Sequence, residues 1–108
     1  MNIKRIVEAL TKQPAGVPVR LDFGGVHYGV SKVSYLTGDD NVVIIEAGDG
    51  GMTNGGLLAQ LLNFPLSSDV QLFATMGEDY GYYNISPTFY LFDEMTWLLA
   101  GTLITGGV

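Results

Sequence analysis

Ile3, Ile6, Val7 and Leu10 fall three and four residues apart, the spacing that lines one face of a helix. Lys4, Glu8 and Lys12 lie four apart on the other side, and Asn2 stands where a side-chain oxygen can cap the first turn. Pro14 ends this stretch, because the residue before a proline is pushed out of helical backbone. The pattern then changes period. Val17, Val19, Leu21 and Phe23 alternate with Pro18, Arg20 and Asp22, which predicts a strand with one buried face. Gly24-Gly25 breaks it. Residues 27–36 form a second strand whose alternation slips between Val30 and Val33, the mark of a bulge. Gly38-Asp39-Asp40-Asn41 reads as a turn, and Val42 to Ala47 as a third strand, apolar on both faces and therefore covered on both.

The same order returns from Met52. Shifted by 51, Met1 falls on Met52, Leu10 on Leu61, Pro14 on Pro65, Val19 on Val70 and Leu21 on Leu72. After four extra residues, Tyr28 falls on Tyr83, Ser31 on Ser86 and Tyr35 on Tyr90. The second copy reads as a helix capped by Thr53 or Asn54, then strands over residues 70–74, 82–91 and 97–104. Its helix carries no charge, so it is expected to be the more buried of the two. The extra residues fall within Thr75 to Gly81 and are expected to lengthen a loop. Pro87 predicts an edge position or a bulge. Residues 92–101 carry two readings, a turn at Asp93-Glu94 followed by a strand, or a helix stopped by Gly101. The repeat favours the turn, since Asp93-Glu94 falls on Asp39-Asp40.

The expected fold is therefore α+β, a tandem duplication of a helix–strand–strand–strand unit. One such unit is too small to bury its apolar face, so two would pack about a pseudo-twofold axis. The domain spans 1–108, with repeat A at 1–47, a linker at 48–51 and repeat B at 52–108.

The opening of each copy (Leu10, Pro14, Val19, Leu21; Leu61, Pro65, Val70, Leu72) resembles short uncharacterised proteins of bacteriophages and bacteria. Those also begin with a helix, a proline-containing link and a β-meander. The likeness spans about twenty residues per copy. It implies a phage or mobile-element accessory protein and brings no catalytic residues with it.

Charge narrows the partners. The five basic residues all lie within the first 32 positions, and residues 33–108 hold nine acids and no base. A field of that sign repels nucleic-acid phosphate and steers toward basic surfaces. Cysteine is absent, so there is neither a disulfide framework nor a thiolate metal site. No apolar run reaches the length that spans a bilayer, and no apolar stretch follows Lys4-Arg5 as in a signal peptide. A cytoplasmic protein, not associated with membranes, is the expectation.

Catalytic chemistry finds little to work with. His27 is the single histidine, with no nucleophile and acid at recognisable spacing. Asp39-Asp40 and Asp93-Glu94 are adjacent acids in turns, without the alternating oxygen ligands of a calcium loop. The glycine-rich joint from Gly48 to Gly56 lies between a strand and a helix, where phosphate loops sit. It lacks the Gly-Lys-Ser/Thr ending, puts Thr53 at the third glycine of the dinucleotide pattern, and carries Asp49.

No enzyme and no cofactor or metal is expected. The reading is a small acidic protein that binds another macromolecule, a protein with a basic surface. With the phage likeness, this becomes an inhibitor of a host nucleic-acid-binding defence protein. The partner-binding candidates are Glu78, Asp79, Tyr80 and Tyr82, with Asp39, Asp40, Asp93 and Glu94 in the turns. The alternatives are a homo-oligomeric assembly protein and a binder of a small ligand at the joint.

Overall fold

Both helices start at capped turns. The Asn2 Oδ1 accepts from the Arg5 N–H at 3.1 Å and opens α1 (Ile3–Leu10). The Thr53 Oγ1 accepts from the Gly56 N–H at 3.2 Å and opens α2 (Asn54–Leu61). Each such cap is worth about 0.5–2 kcal/mol. The computed structural model describes residues 1–36, 41–92 and 95–107. Its strands are β1 (Val19–Phe23), β2 (Val26–Leu36), β3 (Val42–Gly48), β4 (Asp69–Met76), β5 (Asp79–Phe92) and β6 (Met95–Gly107).

The six strands close into one barrel in sequence order. β1–β2, β2–β3, β4–β5 and β5–β6 are antiparallel, while β3–β4 and β6–β1 are parallel. This overturns the expected α+β architecture of two packed helix–strand–strand–strand units about a pseudo-twofold axis. The chain is mostly sheet, and its two helices have eight residues each. Each half forms an antiparallel meander, but the two are joined into one sheet rather than standing as separate units. The first strand of the chain pairs with the last, Val19 with Thr96 and Leu21 with Leu98, and β3 pairs with β4, Val43 with Val70 and Ile45 with Leu72. Closure leaves an inner face that side chains from all six strands fill, so burial comes from the barrel interior rather than from a helix layer.

The helices are also tied across the chain. The Ile3 N–H donates to the Ser68 carbonyl at 3.0 Å, and the Val70 N–H to the Met1 carbonyl at 2.9 Å. The Asn54 N–H donates to the Val17 carbonyl at 2.8 Å, and the Val19 N–H to the Met52 carbonyl at 3.0 Å. Thus α1 is anchored where β4 begins and α2 where β1 begins. Ile3, Ile6 and Leu10 from α1, and Leu57 and Leu61 from α2, join Val19, Leu21, Val30, Val43, Ile45, Val70, Leu72, Ile85 and Leu98 in a single core. Each helix buries three residues, and α2 leaves two exposed where α1 leaves three. At the other end Phe23 meets Tyr28 and Tyr83 edge-on, with centroids 5.7 and 5.2 Å apart.

Several local readings hold. Gly24 and Gly25, both at positive φ, make the two-residue turn between β1 and β2, a backbone that other residues adopt only at a cost. The β2–β3 ladder slips between Val30 and Lys32, at the expected bulge. The β5–β6 ladder slips between Ile85 and Phe89, around Pro87. Residues 95–101 are strand, which settles the choice between strand and helix there. Val43, Ile44 and Ile45 are all buried, as a strand covered on both faces requires.

The Gly48 to Met52 connection crosses β2 at backbone contact. A Cβ on Gly50 would strike the Val30 carbonyl oxygen and lie 2.9 Å from the Ser31 Cα, whereas one on Gly51 would meet nothing within 4 Å. Backbone cannot yield as a side-chain tip can, so Gly50→Ala should destabilise the fold by about 1–3 kcal/mol. Gly51→Ala should be near neutral, and urea unfolding of the two variants side by side measures the difference.

Candidate functional site

The extra residues of the second half do not form a loop. Thr75 pairs with Tyr80 and Met76 with Asp79, which leaves Gly77-Glu78 as a two-residue turn with Gly77 at φ 67°. Strand alternation simply continues to the turn, so β4 and β5 are longer than β1 and β2 and form a projecting hairpin.

Alternation also decides what this hairpin shows. Leu72 and Ala74 are fully buried inside the barrel. Phe73 therefore lies on the outer face, where it pairs in register with Tyr82. Their rings are 4.7 Å apart, and Tyr80 lies 6.3 Å from each of them. Tyr80 is 41% exposed, and Phe73 and Tyr82 are half-buried against each other. Glu46 of β3 stands beside Phe73 in register, with its carboxylate 3.6 Å from the Lys32 Nζ. Glu78 in the turn and Asp79 at the start of β5 are exposed. Asp79 shares the strand phase of Gly81 and Tyr83, so it flanks the hairpin tip rather than the aromatic face. Tyr83 is a core residue. Its ring lies over Gly81, where a Cβ would come within 2.7 Å, and against Phe23.

Of the sequence candidates, the structure brings Glu78, Asp79, Tyr80 and Tyr82 onto one hairpin. Asp39, Asp40, Asp93 and Glu94 lie outside the described residues. Sequence reasoning missed Phe73 and Glu46. The signal for Phe73 was present, since a large aromatic between Leu72 and Ala74 occupies the solvent phase of its strand.

The glycine-rich joint is not arranged to cradle an anion. The first amides of α2 are already used: Asn54 N–H by the Val17 carbonyl, Gly55 N–H by the Ala15 carbonyl, Gly56 N–H by the Thr53 hydroxyl and Leu57 N–H by the Thr53 carbonyl. An anion-binding helix start depends on such donors being free. A half-open groove of about 210 Å³ lies beside it, lined by Leu10, Thr11, Gln13, Ala15, Asn54, Gly55 and Leu58. The buried Asn54 amide donates to the Pro14 carbonyl at 3.4 Å, and its Oδ1 has no partner among the described residues.

His27 lies edge-on to Trp97 at 4.5 Å, with its Nε2 3.9 Å from the Asp22 Oδ1. That Asp22 oxygen also accepts the Gly25 N–H at 2.7 Å, which makes it a brace for the hairpin turn. Among the described residues no group of three or more His, Cys, Asp or Glu is placed to hold a metal ion, and no helix is long and apolar enough to cross a membrane. No protein-family model matches the sequence, and neither the curated proteins nor the solved structures give a match. The site must be judged on its own geometry.

Stacked and tilted ring pairs are worth about 0.5–1.5 kcal/mol beyond the area they bury. A double-mutant cycle of Phe73→Ala and Tyr82→Ala, followed by urea unfolding, should return a coupling in that range. Additive losses would mean that the rings do not act as a unit.

Proposed function

We propose that this chain is a non-enzymatic protein-binding domain and that the β4–β5 hairpin makes the contact with a partner of basic surface. One observation carries the reading: Phe73, Tyr80 and Tyr82 cluster on the outside of the barrel, on the hairpin whose tip carries the exposed acids Glu78 and Asp79. Aromatic side chains on the solvent face of a strand contribute little to the core. They do supply rigid contact area that loses little entropy when covered, which is why such residues are enriched at interfaces. The carboxylates add direction. A chain of net charge −6 attracts basic surfaces over a Debye length of about 8–10 Å and repels phosphate.

The finer proposal is that the partner is itself a nucleic-acid-binding protein, whose basic groove this acidic domain occupies. The likeness of the Leu-x-x-x-Pro and Val-x-Leu segments to phage proteins makes a host defence protein the candidate. That likeness covers only the helix ends and the first strand of each half, and in β4 it ends at Leu72, before the aromatic face begins.

Affinity capture with the tagged domain tests the reading. The charge-reversal pair Glu78→Lys and Asp79→Lys, and separately Tyr80→Ala with Tyr82→Ala, should each reduce retention of the same basic protein tenfold or more, a loss of about 1.4 kcal/mol. Glu8→Lys, on the exposed side of α1, should leave retention unchanged. Equal retention by both hairpin variants, or capture of acidic proteins only, would overturn the proposal.

A further inference from the structure

β6 outruns its neighbour. β1 pairs with it only as far as Asp22 with Leu99, whereas β5 continues to pair with it up to Gly107. Residues 101–107 are therefore hydrogen-bonded on the β5 side, and no strand among the described residues takes the other side. This stretch of β6 is therefore an open edge, with a row of backbone donors and acceptors facing outward. Such an edge is a template for another strand, and proteins ordinarily guard it with lysine, proline or inward-pointing charge. This one has none of these, and carries only the bulges where its ladder with β5 slips between Tyr82 and Tyr83 and between Tyr83 and Ile85. From Met95 to Val108 the sequence holds no ionisable side chain and no proline. Leu103 and Ile104 stand 52% and 44% exposed on it.

We propose that this edge pairs antiparallel with the same edge of a second copy, joining two barrels through β6. Charge selects the occupant. A basic partner would find nothing on β6 to recognise, while two copies of net charge −6 repel over much of their surface. The uncharged edge is where two such copies approach at least cost, and each copy supplies the matching unpaired strand. Symmetry then constrains the register. A twofold axis between antiparallel neighbours stands perpendicular to the sheet, so a residue can face only residues of its own strand phase. The pairing therefore centres on a single residue of each copy. The same axis leaves both copies of Tyr82 on one face of the joined sheet. They are separated by three strand spacings across the sheet, about 14 Å, in addition to their offset along the strands.

Sedimentation analysis over a range of concentrations, with hydrogen exchange on the same samples, tests this. The wild-type chain should pass from monomer to dimer as concentration rises, and the outward amides of residues 101–107 should become protected in step. Leu103→Lys and Ile104→Lys should each abolish the dimer, with the melting transition confirming that the variants remain folded. A wild-type chain that stays monomeric throughout would overturn the proposal. So would a dimer that survives both substitutions, or one that forms with no gain in protection at residues 101–107.

Discussion

Two parallel seams hold this structure together. Antiparallel hairpins close locally, β1–β2 and β4–β5 across turns of two residues, but β1 against β6 and β3 against β4 join strands that no short turn can connect. Each seam also sets a helix. Because β1 lies against β6, the start of β1 is free to receive the backbone of Met52 and Asn54. Because β4 lies against β3, its start receives Met1 and Ile3. The core of Leu21, Leu98, Ile45 and Leu72 is assembled across these two seams and could not form within either half alone. Loop-closure entropy makes such pairings slow to form, and their reward comes only when the interior is sealed.

What lies outside the seams is where the proposed contacts with other molecules fall. The inner phase of β4 and β5 is spent on the core through Leu72, Ala74 and Ile85, which leaves Phe73, Tyr80 and Tyr82 on the outer phase. The β4–β5 hairpin extends past the last β3–β4 pair, Glu46 with Phe73, and carries β6 with it beyond the end of β1. Both the aromatic face and the open edge follow from that unequal length. An aromatic and acidic hairpin suits a basic protein surface, and an uncharged edge suits a second copy. The two do not compete, because one uses side chains on a sheet face and the other uses backbone at a sheet border.

Features set by neighbouring residues were legible in the sequence. The Asn2 cap, the Gly24-Gly25 turn, the bulge beside Ser31 and the slip around Pro87 each depend on a few adjacent side chains, and each was readable from them. The partner of a strand is a different matter. Nothing in the alternation of Val19, Leu21 and Phe23 says whether β2 alone or also β6 lies beside it, so the pattern points to two packed three-stranded units instead of one barrel. The Thr75 to Gly81 segment reads as a loop because the alignment of the two halves places the four extra residues there. Alternation ran through it to Gly77, and register pairing made strand the better solution. Phe73 was passed over for the same reason, since its importance depends on Tyr82 standing opposite.

The seams are tested most directly by native-state hydrogen exchange resolved residue by residue. If they hold the fold together, amides of the β1–β6 and β3–β4 pairs, such as that of Thr96 bonded to the Pro18 carbonyl, should exchange only through global unfolding and share the highest protection in the molecule. Seam amides that exchange freely while the β1–β2 and β5–β6 hairpins stay protected would contradict the account, because the hairpins would then stand without the closure proposed to support them.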